Sequence, residues 1–317
     1  MAFECIDKAK EMIHGNSKEA KNELAVLGTI RAWLLYSQGK MDNAIKENKR
    51  VLKLAEELPR EQRANLQSGI YNTLGSIYLN LGDYDKALEA YGKFYAVSKE
   101  RNVKKDMAIA SGNIGVVYNY LKDSAKSLRY YNRQLKISEE IGYLQGIAIA
   151  LVNLGIINKN KKKYDTAELL YKRCLTLFES MSDFHGMAIV SVNLGIIYFE
   201  KGIYKKALEL FSNYLKISNR IGDLKGTGIA YKNMGHICSK KNNHIEALKH
   251  FKKYLRISRK VKFKHGICRA YFSMGEENLI LGNKLEGISL LKKSEKLAYE
   301  LQDTGLIENI RKLIENA

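Results

Sequence analysis

Six glycines at one fixed spacing constrain this chain more than any other feature. They are Gly75, Gly115, Gly155, Gly195, Gly235 and Gly275, with no insertion between them. Their neighbours repeat with them, as Asn113-Ile114-Gly115-Val116-Val117-Tyr118, Asn153-Leu154-Gly155-Ile156-Ile157 and Asn193-Leu194-Gly195-Ile196-Ile197-Tyr198. A fixed period in this range marks a solenoid made by stacking one supersecondary unit. The period therefore overrides the two domains that 317 residues would otherwise suggest.

Within each repeat the apolar spacing is helical throughout. A first helix carries the marker glycine, as over residues 64–81, and a short turn such as Leu81-Gly82-Asp83 follows. A second helix, about 84–101, leads to a second turn, explicit at Ile141-Gly142-Tyr143-Leu144-Gln145-Gly146 and Ile221-Gly222-Asp223-Leu224-Lys225-Gly226. Gly82, Gly142, Gly202 and Gly222 suit the left-handed backbone that ends a helix, whereas Lys122, Lys162 and Asn242 hold the same slot under strain. A glycine inside a helix costs about 1 kcal/mol against alanine, so its recurrence implies a packing need. Antiparallel helices approach closely only where the facing ridge is small, and Ala87, Ala167, Ala207 and Ala247 add to that ridge. The aromatics that recur once per repeat (Tyr78, Tyr118 and Tyr198; Tyr91, Tyr131, Tyr171, Phe211 and Phe251) are assigned to the core.

The fold class expected is all-α: a right-handed superhelical solenoid of antiparallel helix pairs, about seven repeats with capping half repeats. Residues 1–16 are expected to form an N-terminal capping helix, 17–301 the seven repeats and 302–317 a C-terminal capping helix. In the first repeat Ala32 replaces the marker glycine. Three extra residues fall at Leu58-Pro59-Arg60-Glu61-Gln62, where proline interrupts the helix, so 58–62 is the expected hinge.

Composition excludes several classes. No apolar run reaches membrane-spanning length, so no membrane span is expected. The four cysteines, Cys5, Cys174, Cys238 and Cys268, have no CxxC spacing, and no secretory segment opens the chain. Free thiols and a cytoplasmic location are expected. None of the six histidines (His14, His185, His236, His244, His250 and His265) forms a metal or catalytic motif, so neither enzyme activity nor a cofactor is expected. The formal net charge of +19 favours acidic partners.

With Leu74-Gly75, Tyr78, Gly82, Tyr84, Ala87 and Tyr91 in place, the repeat resembles the tetratricopeptide repeat (TPR). The long period and the missing proline at the end of the second helix depart from the usual form. They resemble the long repeats of kinesin light chain, of LGN-type adaptors and of bacterial signalling proteins. The resemblance implies a non-enzymatic protein- or peptide-binding scaffold whose first helices line a concave groove. It also implies that the position two before the marker glycine touches the ligand backbone. Here that position is Asn113, Asn153, Asn193 and Asn233, with Thr73 and Ser273 at the ends and Asn72 beside Thr73. A carboxamide both donates and accepts, so it can hold a peptide unit whatever its side chain. Ile149, Ile189, Ile229, Val116, Ile156 and Ile196 form the expected apolar floor. The other reading of the asparagines is as spacers bonded between neighbouring first helices, and the two are compatible.

Toward the C-terminus the groove becomes polar, with Lys232, His236, Lys240, Arg269 and Glu276, which suits an acidic peptide or a carboxylate. Some TPR proteins clamp a carboxylate with Lys, Asn and Arg; Asn233 and Arg269 match in type, but the full clamp is not reproduced. Residues 240–264 hold ten Lys or Arg against the single acid Glu246. That face is either a solvated surface or a contact for nucleic acid or an anionic surface, and no base-stacking aromatics interleave with its cations. A peptide-responsive bacterial-type sensor is the alternative function, although residues 1–16 are too short for the effector domain that such receptors carry.

Overall fold

The structure is a computed structural model that describes residues 2–13, 15 and 17–317; Met1, and His14 and Asn16 of the expected first turn, lie outside them. The described residues form sixteen α-helices and no strand. The first four are α1 (Ala2–Met12), α2 (Lys18–Ser37), α3 (Met41–Ala55) and α4 (Arg60–Asn80). The next six are α5 (Tyr84–Glu100), α6 (Lys104–Tyr120), α7 (Ser124–Glu140), α8 (Leu144–Asn160), α9 (Tyr164–Ser180) and α10 (Phe184–Glu200). The last six are α11 (Tyr204–Arg220), α12 (Leu224–Lys240), α13 (His244–Lys260), α14 (Lys264–Ile280), α15 (Lys284–Glu300) and α16 (Thr304–Glu315). From α4 onward the even-numbered helices are the first helices of each repeat and the odd-numbered ones the second. The contacts divide the chain into two compact bodies, one reaching Ile157 and the other beginning at Asn158, within α8. Pro59 is the N-cap of α4, inside the N-terminal body.

Two local devices set the helix ends. Asp83, Asp123, Asp183, Asp223 and Asp303 each accept a hydrogen bond from a backbone N–H of the helix that follows, a cap contributing about 1 kcal/mol. The residue before each cap then takes a left-handed backbone, as at Gly82 (φ 75°) and Gly222 (φ 72°). Asp83 N–H returns to Tyr78 O at 2.9 Å, closing the turn by the Schellman route. Lys122, Lys162 and Asn242 hold φ of 59°, 57° and 59°, the strained conformation expected for that slot.

The marker glycines do what their spacing implies. A methyl group on Gly75, Gly115, Gly195 or Gly235 would sit 2.5–2.7 Å from the ring of Tyr91, Tyr131, Phe211 or Phe251. Those rings are buried and set the spacing of each helix pair. In the first repeat Ala32 takes the glycine slot, and the residue in register with Tyr91 is Asn48. Both are buried, so the extra methyl is matched by the loss of a ring.

A second periodic glycine lies where the sequence suggests a turn. Gly146 and Gly226 stand in the first turn of α8 and α12, and Gly186 and Gly266 hold the same place in α10 and α14. A methyl group on Gly226 would lie 2.7 Å from Ser218 Oγ, and one on Gly186 2.3 Å from the Phe178 ring. These glycines admit the end of the preceding second helix or of the turn, so α8, α10, α12 and α14 are each pressed from both sides. That explains the burial pattern. First helices such as α10 bury residues on several faces, whereas second helices such as α13 bury one stripe and expose the rest.

Candidate functional site

The candidate site lies on the side of the first helices turned away from their second helices. The helical turn of 3.6 residues places the positions six before, two before and one after the marker glycine on that side. Ile149 and Ile189, six before, are exposed, and Val116, Ile156 and Ile196, one after, are half-buried.

In the N-terminal body, Asn113 Nδ2 on α6 donates to Asn72 Oδ1 on α4 at 2.9 Å. This bond joins two neighbouring first helices, as the spacer reading requires. Thr73 Oγ1 turns back onto Gly69 O. Asn153 is half-buried and lines a hollow with Asn113, Ile109, Val116, Ile149, Gly112, Tyr143, Gly146 and Gln134. Gln134, on the second helix α7, escaped the sequence reading. Its register neighbours in other second helices are Phe94, Cys174, Tyr214, Tyr254 and Ser294, so an amide in a mostly apolar slot was the available signal. Gln134 is buried and its Oε1 has no hydrogen-bond partner. Gly112 makes room for it, because a methyl group there would lie 2.5 Å from that oxygen.

In the C-terminal body, Asn193 is tied down: its Nδ2 donates to Ile189 O and its Oδ1 accepts from Lys159 Nζ, both at 2.7 Å. Asn233 differs. It is 9% exposed and its Nδ2 has no partner. With His236, Ile196, Phe199, Glu200 and Phe211 it lines a second hollow. His236 meets Phe251 edge-on, with centroids 5.1 Å apart. Burial, then the charges of Lys232 and Lys240, push the His236 pKa down to about 4. Burial, then Arg269, lowers that of Lys232, and burial, then Glu277, raises that of Glu276 to about 7. Arg269 directs its guanidinium to Asp303 at 2.8 Å.

Two parts of the chain, residues 106–180 and 186–260, match one tetratricopeptide-repeat profile, and residues 68–100 match another. Together these cover more than half of the chain. The chain belongs to the tetratricopeptide-repeat family. No curated protein sequence matches it. Among solved structures, the apo form of RapI is similar at a TM-score of 0.72 and 18% identity, covering 99% of this chain and 90% of that one. The apo form of the quorum sensor NprR from B. thuringiensis gives 0.67 and 15%, covering 98% and 91%. A signal-transduction ATPase with a TPR sensor from Pyrococcus horikoshii gives 0.76 and 17%, covering 94% of this chain. The TPR chain spans only 46% of that ATPase. These likenesses are of fold, and the described residues contain no helix long and apolar enough to cross a membrane.

The half-buried imidazole of His236 in this TPR protein yields a pH prediction. His236 has a folded pKa below its unfolded value, so its contribution to stability is present above pH 6.5 and is lost as the pH falls through about 4. Glu276 acts oppositely, its contribution being lost as the pH rises through about 7. Comparing wild type with His236→Gln cancels the Glu276 effect. Wild type is expected to lose about 3 kcal/mol relative to the variant across that range. Urea unfolding at a series of pH values measures this, and parallel curves would refute it.

Proposed function

We propose that this TPR protein is a non-enzymatic scaffold that binds a peptide or protein segment along the open side of its first helices. The observation that carries this reading is a buried side-chain amide lacking a partner in each hollow: the Gln134 oxygen in one, the Asn233 nitrogen in the other. A buried polar group left unpaired costs about 1–3 kcal/mol, so a partner arriving with a ligand recovers that energy. In the N-terminal body the Gln134 oxygen suits a backbone N–H, with the exposed Ile149 in the same hollow; in the C-terminal body the Asn233 nitrogen suits a backbone C=O, with Ile196 in the same hollow. Lys232 and Lys240 beside His236 favour an acidic segment. Arg269, engaged with Asp303, is left out of the carboxylate contact.

The test sets stability against binding. Gln134→Leu and Asn233→Leu remove an unpaired polar atom at nearly constant volume, so neither should lower the melting temperature. Each should reduce recovery of crosslinked, co-purifying peptide about tenfold, equivalent to about 1.4 kcal/mol. Undiminished recovery with both variants would sink the groove reading.

A further inference from the structure

The other side of the C-terminal body carries a different signal, independent of the hollows. On α13 the side chains of Ile245, Lys252, Arg256 and Lys260 fall on one face, because each stands close to a whole number of helical turns from the first. One repeat further on, α15 carries Leu285, Lys292 and Lys296. The two second helices thus present the same arrangement over the first three positions, an apolar residue and then two cations; at the fourth, Glu300, paired with Lys264, stands in the place of Lys260.

These cations are uncommitted. Lys249 pairs with Glu246, Lys253 lies over the Tyr231 ring and Arg259 binds Tyr271. Lys252, Arg256, Lys260, Lys292 and Lys296 have no ion pair among the described residues, and all are exposed. The apolar residues beside them are more exposed than a folded surface needs. Leu285 is 89% accessible, Ile245 64% and Ile280, at the end of α14, 60%. Their register counterparts in the preceding repeats of this body are polar: Lys205 and Asp165 for the first two, Glu200 and Asn160 for the third. Within this body the apolar substitution is confined to the last two turns between first and second helices, next to the most basic helix.

We propose that the C-terminal body docks on an anionic lipid bilayer, with Ile245, Ile280 and Leu285 entering the headgroup–acyl boundary and the cations of α13 and α15 lying among the headgroups. Charge alone would suit any polyanion. The apolar residues decide between the candidates, because a bilayer rewards their burial and a row of phosphates on a duplex does not. Among the described residues the nearby aromatics are already engaged by cations: the exposed Tyr299 of α15 lies under Arg311, and Tyr231 and Tyr271 lie under Lys253 and Arg259.

The full-length chain is tested by co-sedimentation with vesicles of phosphatidylcholine alone and of phosphatidylcholine containing roughly one third phosphatidylserine. Binding is expected only to the second. Each cation removed should weaken partitioning about fivefold, so Lys252→Gln, Arg256→Gln and Lys296→Gln together should weaken it about 100-fold. Ile245→Ser with Leu285→Ser, which leaves every cation in place, should weaken it at least about tenfold. Circular dichroism of both variants checks that they remain folded. Equal binding to both vesicles, or to neither, would overturn the proposal. So would a random-sequence duplex that binds more tightly than the vesicles while the Ile245/Leu285 variant binds either one like wild type.

Discussion

Gly195→Ala is expected to destabilise the α10–α11 hairpin by about 2 kcal/mol, and to become stabilising once Phe211 is removed. The new methyl would lie 2.5 Å from Phe211 Cε1, 2.8 Å from Cδ1 and 3.0 Å from Cζ. Phe211 is buried among Tyr198, Ala207 and Ile237, so turning its ring away from the new methyl would give up those core contacts. Overpacking of this kind costs about 1–3 kcal/mol, and the contact distance argues for the upper end. Against that stands the gain of about 1 kcal/mol from replacing glycine inside a helix. Phe211→Ala alone should cost about 4 kcal/mol through the cavity it leaves. In that background the methyl at 195 enters empty space and only the helix-propensity gain survives. The two substitutions should therefore couple by about 3 kcal/mol, with the effect of Gly195→Ala changing sign. Stability in a solenoid is local, so hydrogen exchange of α10 and α11 amides is the proper measurement. An additive double variant would show that ring and glycine do not share one space.

The second large effect concerns a pair that the other repeats lack. Glu277 stands two residues after the marker glycine, where Ile77, Val117, Ile157, Ile197 and Ile237 stand elsewhere. It is 3% exposed, and its Oε2 lies 2.7 Å from His244 Nδ1. His244 occupies the place of Tyr164 and Tyr204. His244→Tyr should cost about 1–3 kcal/mol, because it leaves a buried carboxyl group without its partner. Adding Glu277→Ile recreates the combination of Tyr204 and Ile237, which share one core cluster. The double variant should recover wild-type stability, since replacing both partners of a buried hydrogen bond by packed apolar groups is often nearly neutral or stabilising. Thermal unfolding of the three proteins tests this. A double variant no better than His244→Tyr would mean that the pair holds the last repeats together in a way that apolar packing cannot replace.

These two sites differ in how visible they are in the sequence. The glycine and its aromatic are both periodic, so their pairing is legible by counting. Glu277 and His244 stand on different helices, α14 and α13; Glu277 breaks its period once, whereas the slot of His244 also holds Ser124 and Lys284. The anomalies are visible, but not that they meet. The same holds for the asparagine ladder. Its spacing predicts one common role, yet Asn113 bridges to Asn72, Asn193 is held by Lys159, and only Asn233 is left with an unpaired buried donor. Gln134 joins the site from a second helix, which no reading of the first helices would include.

The sequence by itself determined the repeat, the helices, the left-handed turn residues and the small residues at the hairpin contacts. Those depend on interactions within a few residues or on a spacing that repeats, so each recurrence restates them. The tertiary structure alone decided which polar side chains are satisfied, that Gly146 and Gly226 are helical contacts and not turn residues, and where the hollows fall. Those depend on the distance between side chains from different helices. A single substitution in one repeat changes that distance without disturbing the period.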